Sequence, residues 1–168
     1  MNPQIEAVFD DAENRYLKPE ELGLISQYTH SIPARLETYQ SLRDYELEIM
    51  QWVADQLQAE MPIESVENLE RSIKNGLLLL RCCAMAMLVN DQGLIRDRFL
   101  VWASPMTTVY GSHLIDTTLY RLINQRLNQV LGVERMVLLM PMLAYAQDAL
   151  PATLSQAAPE ENGIAIGR

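Results

Sequence analysis

The sequence predicts an all-α domain with a globin-like number of helices. Apolar residues recur every three or four positions over long stretches, as they do along one face of a helix. No run alternates apolar and polar residues over a useful length, and no hairpin dipeptide joins two such runs. The periodic stretches are separated by proline, glycine and Asn-Asp, which interrupt helices.

Residues 3–14 are expected to form a short first helix. A second begins near Pro19, with Glu20 and Glu21 in its first turn, where the helix dipole favours negative charge. Ser31 followed by Pro33 reads as the start of a separate long helix reaching Met61, and Pro62 stops it. Its apolar stripe is Leu42, Tyr45, Ile49, Trp52, Val53, Leu57 and Met61. A central helix over about 65–90 ends at the turn Asn90-Asp91-Gln92-Gly93. A further segment over about 94–104 is expected to break at Pro105. Ser112 then caps an amphipathic helix to Leu131, built on Ile115, Leu119, Leu122, Ile123, Leu127 and Val130, with Gly132 as its stop. The last helix, about 133–150, should kink at Pro141 and end at Pro151. Seven or eight helices in one domain is a globin-like count. The expected division is a helical arm over 1–30, a body over 31–154 and a disordered tail over 155–168.

At 168 residues the chain has one domain's worth of core-forming material, and its 49% hydrophobic and 21% charged content is ordinary for a globular protein. The net charge of −9 is unevenly placed. Residues 1–70 hold 15 acids and 4 bases, whereas residues 71–150 hold 5 acids and 8 bases. That predicts one acidic and one mildly basic face. Nucleic-acid binding is disfavoured, since phosphate contacts need a concentrated basic surface. The run Leu77–Val89 contains Arg81 and is shorter than the roughly 20 residues a membrane span needs, so it reads as a core helix. Membrane contact is expected to be peripheral only. The N-terminus is polar and acidic, without a secretory pattern, which predicts a cytoplasmic protein.

Side chains suited to chemistry are few. Cys82 and Cys83 are adjacent, which suits neither a disulfide framework nor zinc, and they read as small buried hydrophobes in a reducing compartment. The two histidines, His30 and His113, sit at helix ends rather than inside an apolar pocket, which argues against a haem ligand. Carboxylates such as Glu46, Glu48 and Asp55 are scattered over exposed faces, with no apolar pairing to raise a pKa. No phosphate loop, Gly-x-Ser-x-Gly or supported Ser/His/Asp set is present. The nine methionines read as adaptable packing. Neither an enzyme nor a metal site is expected.

Three segments carry a resemblance. The central helix holds Ser72-Ile73-Lys74-Asn75, then Arg81, then an apolar run to Asn90-Asp91. Near the start stand Asp10 or Asp11 and Arg15-Tyr16-Leu17. After the central helix comes Asp91-Gln92-Gly93-Leu94-Ile95-Arg96-Asp97-Arg98. Together, over about residues 4–150, they resemble the phycobiliproteins, the light-harvesting antenna subunits of cyanobacteria and red algae. In that family the central helix carries Cys-x-Arg-Asp, a second arginine and a final Gly-Asp. Arg81 and Asp91 match in register, the thioether-forming cysteine falls on Ser72, and the Arg-Asp pair that holds the bilin falls on Lys74-Asn75. The link before the central helix is also shorter than the family's, and Ser104-Pro105-Met106-Thr107-Thr108 replaces its Glu-Thr-Tyr pattern.

The resemblance implies an αβ-type assembly in which the N-terminal hairpin packs on a partner, and it implies loss of the covalent bilin. The arm's apolar set must pack on its own body or on a partner's. Phe9, Tyr16, Leu17 and Tyr28 are the expected interface anchors, because buried aromatics dominate interface energies. The partners implied are phycobilisome subunits, linker proteins or a photosystem surface at the cytoplasmic face of the thylakoid, with homo- or hetero-oligomers formed through the arm. The function implied is non-enzymatic, by protein–protein contact in antenna assembly, docking or regulation. The alternative is a small-ligand or sensor protein holding non-covalent bilin, a fatty acid or haem. Ser72, Lys74, Asn75 and Arg81 would line the polar end of its site.

Overall fold

Asn2 opens the first helix. Its Oδ1 accepts from the Gln4 amide at 2.9 Å, and Pro3 takes the first helical position, where a missing N–H is harmless. The computed structural model describes residues 2–156, with the side chains of 108 and 151–156 left aside. Helix α1 (Pro3–Asp11) is a turn shorter than expected; it buries Ile5 and Val8 and lies against α2. The expected tail lies, from 157 on, outside the described residues.

Helix α2 (Pro19–Glu60) corrects the expected break at Ser31–Pro33: Pro33 stands inside one continuous helix. A proline in a helix interior costs about 3 kcal/mol through a lost hydrogen bond and a ring clash. Packing on both sides of Pro33 offsets that cost. Before it, α1 lies against α2 with Ile5 and Val8 buried. After it, Thr38, Leu42, Ile49, Val53 and Leu57 are buried in the body. Arg35 braces the junction, donating from Nε to Ser31 Oγ at 3.1 Å and from Nη1 to the Met87 carbonyl at 2.6 Å. That carbonyl belongs to the last turn of α3 and also accepts from the Asn90 amide at 3.2 Å, so Arg35 adds a second donor to the end of the helix.

Helix α3 (Val66–Val89) lies where it was expected. Ser65 caps it by accepting from the Asn68 amide at 3.2 Å, and Asn90 ends it in the left-handed conformation at φ 55°. By length and mean hydropathy (1.5) it could cross a membrane, and its buried stripe packs instead against α2 and α6. Gly76 sets the closeness of that packing. A Cβ there would meet Leu119 Cδ2 at 2.8 Å and Ile123 Cδ1 at 3.2 Å.

The next segment differs most from expectation. A short α4 (Gly93–Ile95) leads into a π-helical turn, Arg96–Leu100, and then α5 (Val101–Tyr110), with Pro105 inside α5 rather than ending it. The wide turn brings Ile95, Phe99, Leu100 and Ala103 into the core. Phe99 meets Trp102 edge-to-face at 5.1 Å, and Trp102 Nε1 donates to the Arg98 carbonyl at 2.8 Å.

Helix α6 (His113–Gln156) comprises two halves, 113–131 and 133–156, around Gly132 at φ 75°. The departure from helical geometry falls at Gly132, not at Pro141, and the helix continues past Pro151 instead of stopping there. The body is formed by α2, α3 and both halves of α6 around Ile49, Leu57, Leu79, Met87, Leu119, Leu127, Leu139 and Leu143. Among the described residues there is no strand, and the architecture is all-α and globin-like.

Candidate functional site

The residues expected at the polar end of a ligand site are distributed around α3. Ser72 is 1% exposed, one turn from Gly76 on the stripe that faces the core. Lys74 is exposed and Asn75 half-buried. Seven residues beyond Lys74 and on the same side, Arg81 is exposed and forms a fork with Glu46 of α2, Nε to Oε2 at 2.8 Å and Nη2 to Oε1 at 2.5 Å. That pair lines a shallow cleft of about 280 Å³ with Tyr39, Leu42 and Met85. The fold therefore puts Lys74 and Arg81 on one side of the helix and Ser72 on another. Arg81 is thus engaged by a carboxylate at the surface.

The cysteines beyond Ser72 are closed off. Cys82 Sγ approaches the Leu94 carbonyl at 3.7 Å and Cys83 Sγ the Met142 carbonyl at 3.6 Å. Burial pushes both thiols up, Cys83 far above the ordinary range, so neither offers a thiolate for attachment chemistry.

The arm is half packed. With Ile5 and Val8 turned inward, Phe9 is 51% and Tyr16 98% exposed, and Leu22 and Leu24 are also open to solvent. Leu17 and Tyr28 are half-buried. The loop between α1 and α2 is tied by a bidentate pair, Arg15 Nη1 to Glu21 Oε2 at 2.9 Å and Nη2 to Oε1 at 2.7 Å. Glu21 also accepts from the Lys18 amide at 2.7 Å, closing the start of α2. Asp10 and Arg15-Tyr16-Leu17, singled out in the sequence, therefore sit where the arm turns back on itself.

A feature missed in the sequence lies elsewhere. Between α5 and the two halves of α6 is a cavity of about 430 Å³ whose wall includes Asp116, Tyr120, Asn124 and Gln147. Ser112, expected to cap α6 through a backbone amide, instead donates its hydroxyl to Asp116 Oδ2 at 2.6 Å. The signal was present, since Asp116 stands between Ile115 and Leu119 on the apolar side of an amphipathic helix.

The family model for phycobilisome proteins matches residues 8–150, most of the chain. The chain belongs to the phycobilisome protein family. A search of curated proteins found no significant match. This phycobilisome-type subunit has a short N-terminal helix ahead of a helical body with a central apolar helix. Arg81 of α3 and Asp91 just after it, the two residues that carried the resemblance there, both have structural partners. Arg81 holds Glu46, and Asp91 Oδ1 accepts from the Gly93 amide at 2.9 Å, shaping the turn after α3. Family membership implies assembly with other phycobilisome subunits.

Proposed function

We propose that this phycobilisome-type subunit is non-enzymatic, carries no covalent bilin and works by protein–protein contact in antenna assembly, docking or regulation. Its partners are other phycobilisome subunits, linker proteins or a photosystem surface, and its place is the cytoplasm, at the cytoplasmic face of the thylakoid. The observation that carries this reading is the arm, which leaves Phe9 and Tyr16 exposed on a segment folded back by the Arg15–Glu21 fork. Exposed aromatics on a fixed element suit an interface, where a few such anchors supply most of the affinity. Loss of the pigment link is supported by Ser72, whose hydroxyl cannot form the thioether, and by the inert setting of Cys82 and Cys83.

The test is co-sedimentation of the purified protein with isolated phycobilisome cores. The double variant Phe9→Ala, Tyr16→Ala is expected to lose association while its helix content by circular dichroism stays unchanged. Equal co-sedimentation of the variant and the parent would overturn the arm's role. A zinc-stained denaturing gel of protein from a bilin-producing host is expected to show no fluorescence at the protein's mass. A fluorescent band there would overturn the absence of covalent bilin.

A further inference from the structure

The cavity between α5 and α6 holds a carboxylate with unused capacity. Asp116 is 6% exposed; its Oδ2 takes the Ser112 hydroxyl, and its Oδ1 is buried and meets no protein donor among the described residues. A carboxylate oxygen can accept two hydrogen bonds, and leaving one buried without a donor is costly. The groups around it do not supply one. Asn124 and Gln147 bond each other reciprocally, Nδ2 to Oε1 at 2.9 Å and Nε2 to Oδ1 at 3.2 Å. Arg121 is turned to Glu60 of α2 in an ion pair. Burial and the Asp116 charge push the Tyr120 phenol far up, so it stays neutral and adds no second negative charge. His113 and Thr117 stand at the exposed rim, and Leu150 adds apolar surface.

We propose that this cavity binds a small molecule bearing a protonated amine on an apolar body, with Asp116 as the counter-charge. Its volume, about 430 Å³, falls in the range of small-ligand pockets. An ammonium meeting the Asp116 carboxylate at the cavity wall makes a charge-assisted bond, roughly twice as strong as a neutral one, and Tyr120 lines the same cavity. Ser72, Lys74, Asn75 and Arg81 do not line this cavity, so the site is separate from the central-helix positions discussed above.

The probe is 2-phenylethylammonium, titrated into the full chain and followed by amide chemical shifts, with 2-phenylethanol as the neutral counterpart. Saturable shifts centred on Asp116 and Tyr120 are expected, with the alcohol binding at least about tenfold more weakly. Asp116→Asn is expected to lose the preference for the ammonium. Because that change also alters the Ser112 bond, Thr117→Trp, which fills the rim, provides a second arm and is expected to block both probes while helix content is retained. Absence of saturable binding to the parent, equal affinity for ammonium and alcohol, or undiminished ammonium binding in either folded variant overturns the proposal.

Discussion

Glu21 shows how much one side chain does in the arm. It takes both guanidinium nitrogens of Arg15 and the Lys18 amide, so a single carboxylate fixes the turn and starts α2. Those bonds, Arg15 first, hold its carboxyl down at about 2, against an ordinary 4.5. Since the folded value lies below the unfolded one, the stabilisation is complete above about pH 4.5 and fades as the pH falls toward 2. An NMR titration of the Glu21 side-chain carbon is expected to give a midpoint near 2 in the parent and a higher one in Arg15→Ala, where the Lys18 amide bond remains. A parent midpoint near 4.5 would show that the fork does not form in solution. At this scale the sequence was partly legible. Arg15 and Arg81 stood out as residues of interest, but the Glu46 that holds Arg81 lies 35 positions away, and no local pattern announces it. Asp116 was passed over for a related reason, because its environment comes from α5 and the second half of α6.

Among the elements, α3 was the most readable and the prolines were the least. The 3.6-residue period, the Ser65 cap and the Asn90-Asp91 turn fix α3 locally, so its observed limits differ from expectation by only a residue at each end. Pro33, Pro105 and Pro151 were read as boundaries because their cost is local, whereas what offsets it for Pro33 is packing from α1 and the body, which sequence distance hides. The π-turn at Arg96–Leu100 was unreadable for the same reason, since it serves the placement of Phe99 in the core. The α3–α6 seam gives a sharp test. Gly76→Ile would drive a branched side chain into Leu119 and Ile123, and overpacking of this kind costs about 1–3 kcal/mol. Denaturant melts are expected to show a lower midpoint with an unchanged slope. A midpoint equal to the parent's would mean that the seam is looser than its 2.8 Å approach implies.

The whole molecule spends part of its charge asymmetry internally. The acid-rich α2 faces the base-bearing helices through three pairs: Glu46–Arg81, Glu48–Arg126 and Glu60–Arg121. Arg126 also lies 5.4 Å from the Trp52 ring, adding a cation–π contact to the same α2–α6 junction. The expected opposite faces are thus partly a set of complementary surfaces inside the fold. Such partly exposed pairs contribute about 0–1 kcal/mol each after solvent screening. The triple change Glu46→Gln, Glu48→Gln, Glu60→Gln is expected to lower stability by about 1–2 kcal/mol in dilute buffer, and the difference should shrink in 1 M salt. A loss that does not depend on salt would assign the effect to packing. The composition had announced the imbalance, but only the antiparallel stacking of helices far apart in sequence turns it into pairs.

The continuity of α2 has a further consequence. With 42 residues at a rise of about 1.5 Å each, it is a strut roughly 60 Å long that begins in the arm and ends in the body. A partner gripping Phe9 and Tyr16, on α1 and in the loop ahead of the strut, connects to it through the Arg15–Glu21 fork. The direction in which the body extends from that grip is already set, so little orientational freedom remains to be lost on association. In a stacked assembly, such a part acts as a spacer whose angle is built in before its neighbour arrives.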